Sequence, residues 1–76
     1  MKLGRLLNTT KCNTLALVKD YHTNYEYIMD DIETIIHKKL DYDQELRNAE
    51  IYGVDAEIYT YDGKSVPMLV VSVLLN

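Results

Sequence analysis

The run Met68-Leu69-Val70-Val71-Ser72-Val73-Leu74 is apolar at every position but one. Side chains of a strand alternate between two faces, so this segment presents apolar groups to both. In a domain with one main helix, a strand of that kind needs cover on its second face. Asp62-Gly63 upstream reads as a tight hairpin turn, and Pro67 falls near the start of the return strand, where proline is tolerated. The opposing strand is Ala49 to Tyr61. Its alternation runs through Ala49 and Ile51, slips at Gly53 and resumes at Ala56, Ile58 and Thr60, which marks Gly53 as a candidate bulge or break.

An earlier pair of strands is written in the same way. Leu15-Ala16-Leu17-Val18 is a short apolar run, Asp20-Tyr21-His22-Thr23-Asn24 has turn composition, and Tyr25-Glu26-Tyr27-Ile28 follows as an aromatic and β-branched segment. A helix comes next. Ile32, Ile35, Ile36 and Leu40 make an apolar stripe, Asp30 is placed to cap it, and Glu33 three residues on suggests a capping box. Asp31 and Glu33 in the first turn and Lys38 and Lys39 in the last suit the helix dipole. His37 lies at the edge of the stripe. Lys2 to Asn8 forms a short helix with Leu3, Leu6 and Leu7 on one side, and Asp41 to Asn48 is a polar connection holding one turn at Gln44-Glu45-Leu46. The expected fold is α+β, in the order α-β-β-α-β-β. It comprises a small antiparallel sheet of two hairpins against one main helix, with a short N-terminal helix, in a single domain of residues 1–76.

A domain of 76 residues buries only about 60% of the surface its unfolded chain exposes, and such scaffolds gain from a disulfide, a metal or oligomerisation. Cys12 is the sole cysteine, and with His22 and His37 it gives no spaced ligand set for zinc. Asp41-Tyr42-Asp43-Gln44-Glu45 lacks the glycine and spacing of a calcium loop. No metal or cofactor is expected. Homo-oligomerisation remains, and with the short first helix it would cover the second face of the last strand.

The net charge of −4 repels a phosphate backbone, so nucleic acid is not an expected partner. The opening residues are too interrupted for an export signal, and Met68 to Leu75 is too short to span a bilayer, so the expected location is the cytoplasm. No Walker motif, glycine-rich dinucleotide loop or nucleophile elbow is present, and Cys12 sits in a polar turn without a helix start to activate it. The chain reads as a binding protein rather than an enzyme.

Seven tyrosines with neither Phe nor Trp are the distinctive feature. Tyrosine joins a flat apolar face to a hydroxyl at little rotamer cost, which suits binding surfaces. Tyr21, Tyr25 and Tyr27 gather on the first hairpin with His22 and Lys19, while Tyr52, Tyr59 and Tyr61 mark the third strand. Packing at the edges of a half-buried sheet accounts for many such residues. The functional reading makes Tyr21, His22, Tyr25 and Tyr27 stacking and hydrogen-bonding groups, with Lys19 and Arg47 meeting negative charge.

Leu6-Leu7-Asn8, the strand Leu15 to Val18, Asp20-Tyr21 with Thr23, Asp30-Asp31-Ile32, Asp62-Gly63 and the terminal apolar strand together resemble small phage and prophage proteins of Gram-positive bacteria. The longer Ala49 to Tyr61 segment and the long apolar ending depart from that pattern. The resemblance implies a phage accessory protein acting in the bacterial host cytoplasm against host defence. Such a protein would sequester a small nucleotide-like signal in a pocket between subunits, or alternatively bind a host defence protein directly as an inhibitor or adaptor.

Overall fold

The computed structural model describes residues 1–75. Four strands, β1 (Leu15–Asp20), β2 (Glu26–Asp31), β3 (Glu50–Tyr61) and β4 (Lys64–Leu74), form one sheet in the order β2-β1-β4-β3. β2 is antiparallel to β1, and β3 to β4. β1 and β4 run parallel, from Leu15 opposite Met68 to Asp20 opposite Val73. The expected antiparallel sheet is therefore corrected to a mixed one. β1 and β4 are the two most apolar segments, and seating them side by side gives each a strand on both flanks.

The single main helix is corrected as well. Helical structure is divided among α1 (Leu3–Thr9), α2 (Ile32–Ile35) with a π-helical turn directly after it (Ile36–Leu40), and α3 (Gln44–Arg47). In the π turn the Asp41 N–H donates to the Ile36 carbonyl at 3.0 Å. That wider i→i+5 closure brings Leu40 back towards the face of Ile35, and both side chains are fully buried.

Asp31, not Asp30, caps α2. Its carboxylate accepts from the Thr34 N–H at 2.9 Å and from the Thr34 hydroxyl at 2.7 Å. Asp30 accepts the N–H of Asp31 at 2.8 Å, so the donor a capping box would use is already held, and Glu33 falls one residue short of the box position. The end of α1 closes through its own side chains. Thr10 Oγ1 donates to the Leu6 carbonyl and Thr9 Oγ1 to the Arg5 carbonyl, both at 2.8 Å, and the Leu6 carbonyl also accepts the Thr10 N–H at 3.1 Å.

All the helical segments pack on one face of the sheet. Leu3 and Leu7, Ile32 and Ile35, Leu40 and Leu46 share a buried cluster with Ala16, Val18, Val71 and Val73. On the other face Leu17, Met68 and Val70 form a second cluster with Leu15 and Tyr59, to which no helical residue contributes. α1 thus does not cover the second face of β4, contrary to expectation.

The turn at Asp62-Gly63 has φ of 51° and 75°, the left-handed pair that a two-residue hairpin requires. The register of β3 against β4 shifts between Ile51 and Gly53, where the alternation slips. Pro67 lies inside β4, opposite Ile58. Its carbonyl accepts from Thr14 Oγ1 at 3.1 Å, so its nitrogen also faces the β1 flank, just before the β1 ladder opens at Leu15 and Met68. The absent N–H costs no ladder bond there.

Asp20 ends β1 almost wholly buried, at 5% exposure. Its Oδ2 accepts the Thr23 hydroxyl at 2.6 Å and the Thr23 N–H at 3.0 Å, which fastens the turn into β2. The Thr23 hydroxyl bond holds the Asp20 carboxyl below its ordinary range against the opposing effect of burial. The Thr34 hydroxyl, then the Thr34 N–H, do the same for Asp31. A carboxyl depressed on folding contributes stability that is complete above its unfolded pKa and is lost as pH falls through the folded value. Urea midpoints are therefore expected to drop on acidification below about pH 4. The drop shrinks in an Asp20→Asn, Asp31→Asn double variant, and an equal pH dependence in the two proteins would refute the assignment.

Candidate functional site

The turn after β1 carries an aromatic group. The ring of Tyr21 stacks on Tyr52 with centroids 3.5 Å apart and planes at 25°, and meets His22 edge-on at 5.4 Å. The backbone brings them together: the Tyr21 N–H donates to the Val73 carbonyl at 2.9 Å, and the β3 bulge presents Tyr52 from the far side of β4. Tyr21 and Tyr52 remain substantially exposed. Tyr52 was not among the binding residues expected from sequence, because only the β1–β4–β3 order makes it a neighbour of Tyr21.

Tyr25 and Tyr27 form a separate pair, edge-on at 4.8 Å. Tyr25 is 61% exposed. Tyr27 is half-buried against the helix-side core, because a register shift between Val18 and Lys19 makes Tyr27 the extra residue and turns it inward beside Ile28. Burial first, and the Asp20 charge second, raise its phenol above the usual value. Tyr27 is a protonated packing residue at neutral pH.

Lys19 lies half-buried in β1, opposite Glu26 of β2 and Ser72 of β4. Alternation along β1 sets it with Leu15 and Leu17, on the face without helices. Arg47 is placed elsewhere, at the end of α3, where Nη1 lies 3.3 Å from Asp41 Oδ1. Its side chain crosses Gly4 so closely that a Cβ on Gly4 would stand 2.7 Å from Arg47 Cγ. The expected site residues are thus divided between the sheet end and the helix layer.

Around Arg47 the structure assembles a cleft of about 440 Å³, lined by Met1, Lys2, Gly4, Arg5, Asn8, Arg47 and Asn48. Its walls are built by the pairing of the first residues with β3: Leu3 N–H donates to the Ala49 carbonyl and Ile51 N–H to the Met1 carbonyl, both at 2.9 Å. Lys2 Nζ donates to the Asn48 carbonyl at 3.1 Å and to Glu50 at 3.3 Å. Arg5 makes no ion pair among the described residues. Lys2 and Arg5 escaped the sequence reading, although their three-residue spacing sets them together on the side of α1 away from Leu3 and Leu7.

Among the described residues no three His, Cys, Asp or Glu side chains come together as a metal-holding group, and no helix is long and apolar enough to cross a membrane. The arrangement of sheet and helices defines a small α+β protein with a cationic cleft and an exposed aromatic cluster. Comparison with protein-family models, curated proteins and solved structures finds no match to this chain.

Proposed function

We propose that the chain is a non-catalytic binding protein that captures a small phosphate-bearing, nucleotide-like ligand. The observation that supports this is the cleft. An acidic chain with eight lysines and arginines in total sets Lys2, Arg5 and Arg47 around one cavity with Asn8 and Asn48. The size lies in the range of small-molecule sites, roughly 300–1,000 Å³. Arginine presents a planar fork of donors suited to phosphate oxygens, and no carboxylate among the described residues pairs with Arg5. The resemblance to phage accessory proteins extends the proposal to counter-defence: withdrawal of a nucleotide signal from the host cytoplasm, without nucleic acid or membrane as a partner.

The test is calorimetric titration with pyrophosphate and with a panel of linear and cyclic nucleotides. Arg5→Glu is the informative variant, since Arg5 is exposed and makes no ion pair among the described residues, so its reversal leaves the packing alone. Affinity is expected to fall at least about tenfold, equivalent to ~1.4 kcal/mol, with the melting temperature unchanged. A flat response of the wild-type protein across the panel would sink the reading.

A further inference from the structure

We propose that β3 is a docking edge for a second copy of this chain, the two β3 strands pairing antiparallel about a two-fold axis at Ile58. β3 is an outermost strand of the sheet. Its outer side is met only at the start, where Lys2 pairs with Glu50 and the Ile51 N–H reaches the Met1 carbonyl. From the bulge to Tyr61 no described residue pairs with it from outside. An open edge of that length is a template for another strand, and Gly53 to Tyr61 contains neither proline nor lysine to block one.

The backbone limits the register. Pro67 turns its nitrogen and carbonyl towards β1, so its partner Ile58 must likewise turn its N–H and C=O away from β4. Ala56 and Thr60, two positions either way, do the same. A two-fold pairing that exchanges these outward groups sets even positions against even positions, so its axis passes through a residue rather than between two.

Charge and length then select the axis: one at Asp55 or Glu57 sets that carboxylate against its own copy, and one at Tyr59 pairs only residues 57–61, leaving Asp55 without a partner. An axis at Ala56 sets Asp55 against Glu57 of the second copy, twice over, and like charges opposite one another are destabilising. An axis at Val54 drives the strand into the bulge and the Lys2 pairing. An axis at Thr60 leaves only the few residues beside the turn. At Ile58 the carboxylate of Glu57 faces Tyr59 of the second copy, and that of Asp55 faces Tyr61. Both facing pairs join a hydroxyl donor to an ionised acceptor. Asp55 and Glu57, which would guard a free edge against pairing, here select one register. On the opposite face the axis sets Ile58, 69% exposed in the single chain, against its own copy, with Ala56 against Thr60.

Sedimentation equilibrium of the full chain from micromolar to near-millimolar concentration tests this, with two variants. Ile58→Pro removes the central outward N–H and is tolerated by the monomer, because proline is accepted on an edge with its nitrogen facing out. Tyr61→Lys sets an ammonium against Asp55 of the second copy at both ends of the interface. The wild type is expected to dimerise, Ile58→Pro to be a folded monomer by circular dichroism, and Tyr61→Lys to tighten the dimer roughly threefold or more. A wild type that stays monomeric throughout overturns the proposal, as does an Ile58→Pro variant with an unaltered dissociation constant. Should Ile58→Pro fail to fold, an unchanged or weaker dimer in Tyr61→Lys overturns the register.

Discussion

Truncation of Ile35 to alanine is expected to lower the unfolding free energy by about 3–4 kcal/mol, within the ~2–5 kcal/mol seen for large-to-small changes at fully buried sites. Ile35 is completely buried, in the cluster where α1, α2, the π turn and α3 converge on β1 and β4. Little can close around the void, because the short helical segments are held by Asp31 at one end and by Asp43, which accepts the Leu46 N–H at 3.0 Å, at the other. A chain of 76 residues has roughly 4–11 kcal/mol of stability in all, so the loss is a large share of the total. Urea denaturation monitored by circular dichroism would show it as a lower midpoint at an unchanged slope. Ile36, half-buried beside the same cluster, makes the contrast: its alanine variant is expected to lose clearly less. Equal losses at the two positions would show that the π turn does not concentrate packing on Ile35 and Leu40.

Replacement of Gly63 by valine is the second large effect, with an expected cost of about 2 kcal/mol. The φ of 75° at Gly63 belongs to the left-handed region, where L-residues lose roughly 1–2 kcal/mol and β-branched ones are outliers. Asp62 beside it, at φ 51°, has the short polar side chain that tolerates this region. Space is not the obstacle, since nothing lies within 4 Å of a Cβ built at Gly63. Gly53 is equally open but has no positive φ, so Gly53→Ala is expected to leave the melting temperature within a degree or two while Gly63→Val lowers it by several, about 4–8 °C per kcal/mol at this size. A similar response at both glycines would mean that the backbone at the tip is freely adjustable.

What sequence makes legible here is local. Leu15 to Val18, the Asp62-Gly63 turn, the slip at Gly53 and the one-turn helix at Gln44-Glu45-Leu46 are each specified by neighbours within a few residues. The parallel pairing of β1 with β4 is not. Nothing near Leu15 names Met68, and each strand satisfies the same apolar pattern in an antiparallel sheet. The cap passed from Asp30 to Asp31 because β2 runs directly into α2, leaving no loop to separate the two candidates. Tyr27 turns inward through a β2 bulge that no glycine announces. The cationic cleft is non-local in the same sense: Lys2 and Arg47 meet only because the first residues pair with the start of β3. Of the expected contact residues, Tyr21 and His22 do share a cluster, and Arg47 does line a cavity, but not the same one.

The parallel rungs between β1 and β4 also set the order in which the chain can assemble. Leu15 waits for Met68, a separation on the order of fifty residues, whereas the β1–β2 and β3–β4 hairpins close over a handful. Contacts so far apart are made late and slow the search, because the entropy of closing the loop is lost before the pairing rewards it. During synthesis at ~5–20 residues per second, β1 is out for several seconds before its central neighbour exists. In that interval Leu17 and Val18 sit on an unpaired strand edge, the state in which a nascent chain is most prone to associate with the wrong strand and most in need of a chaperone's cover.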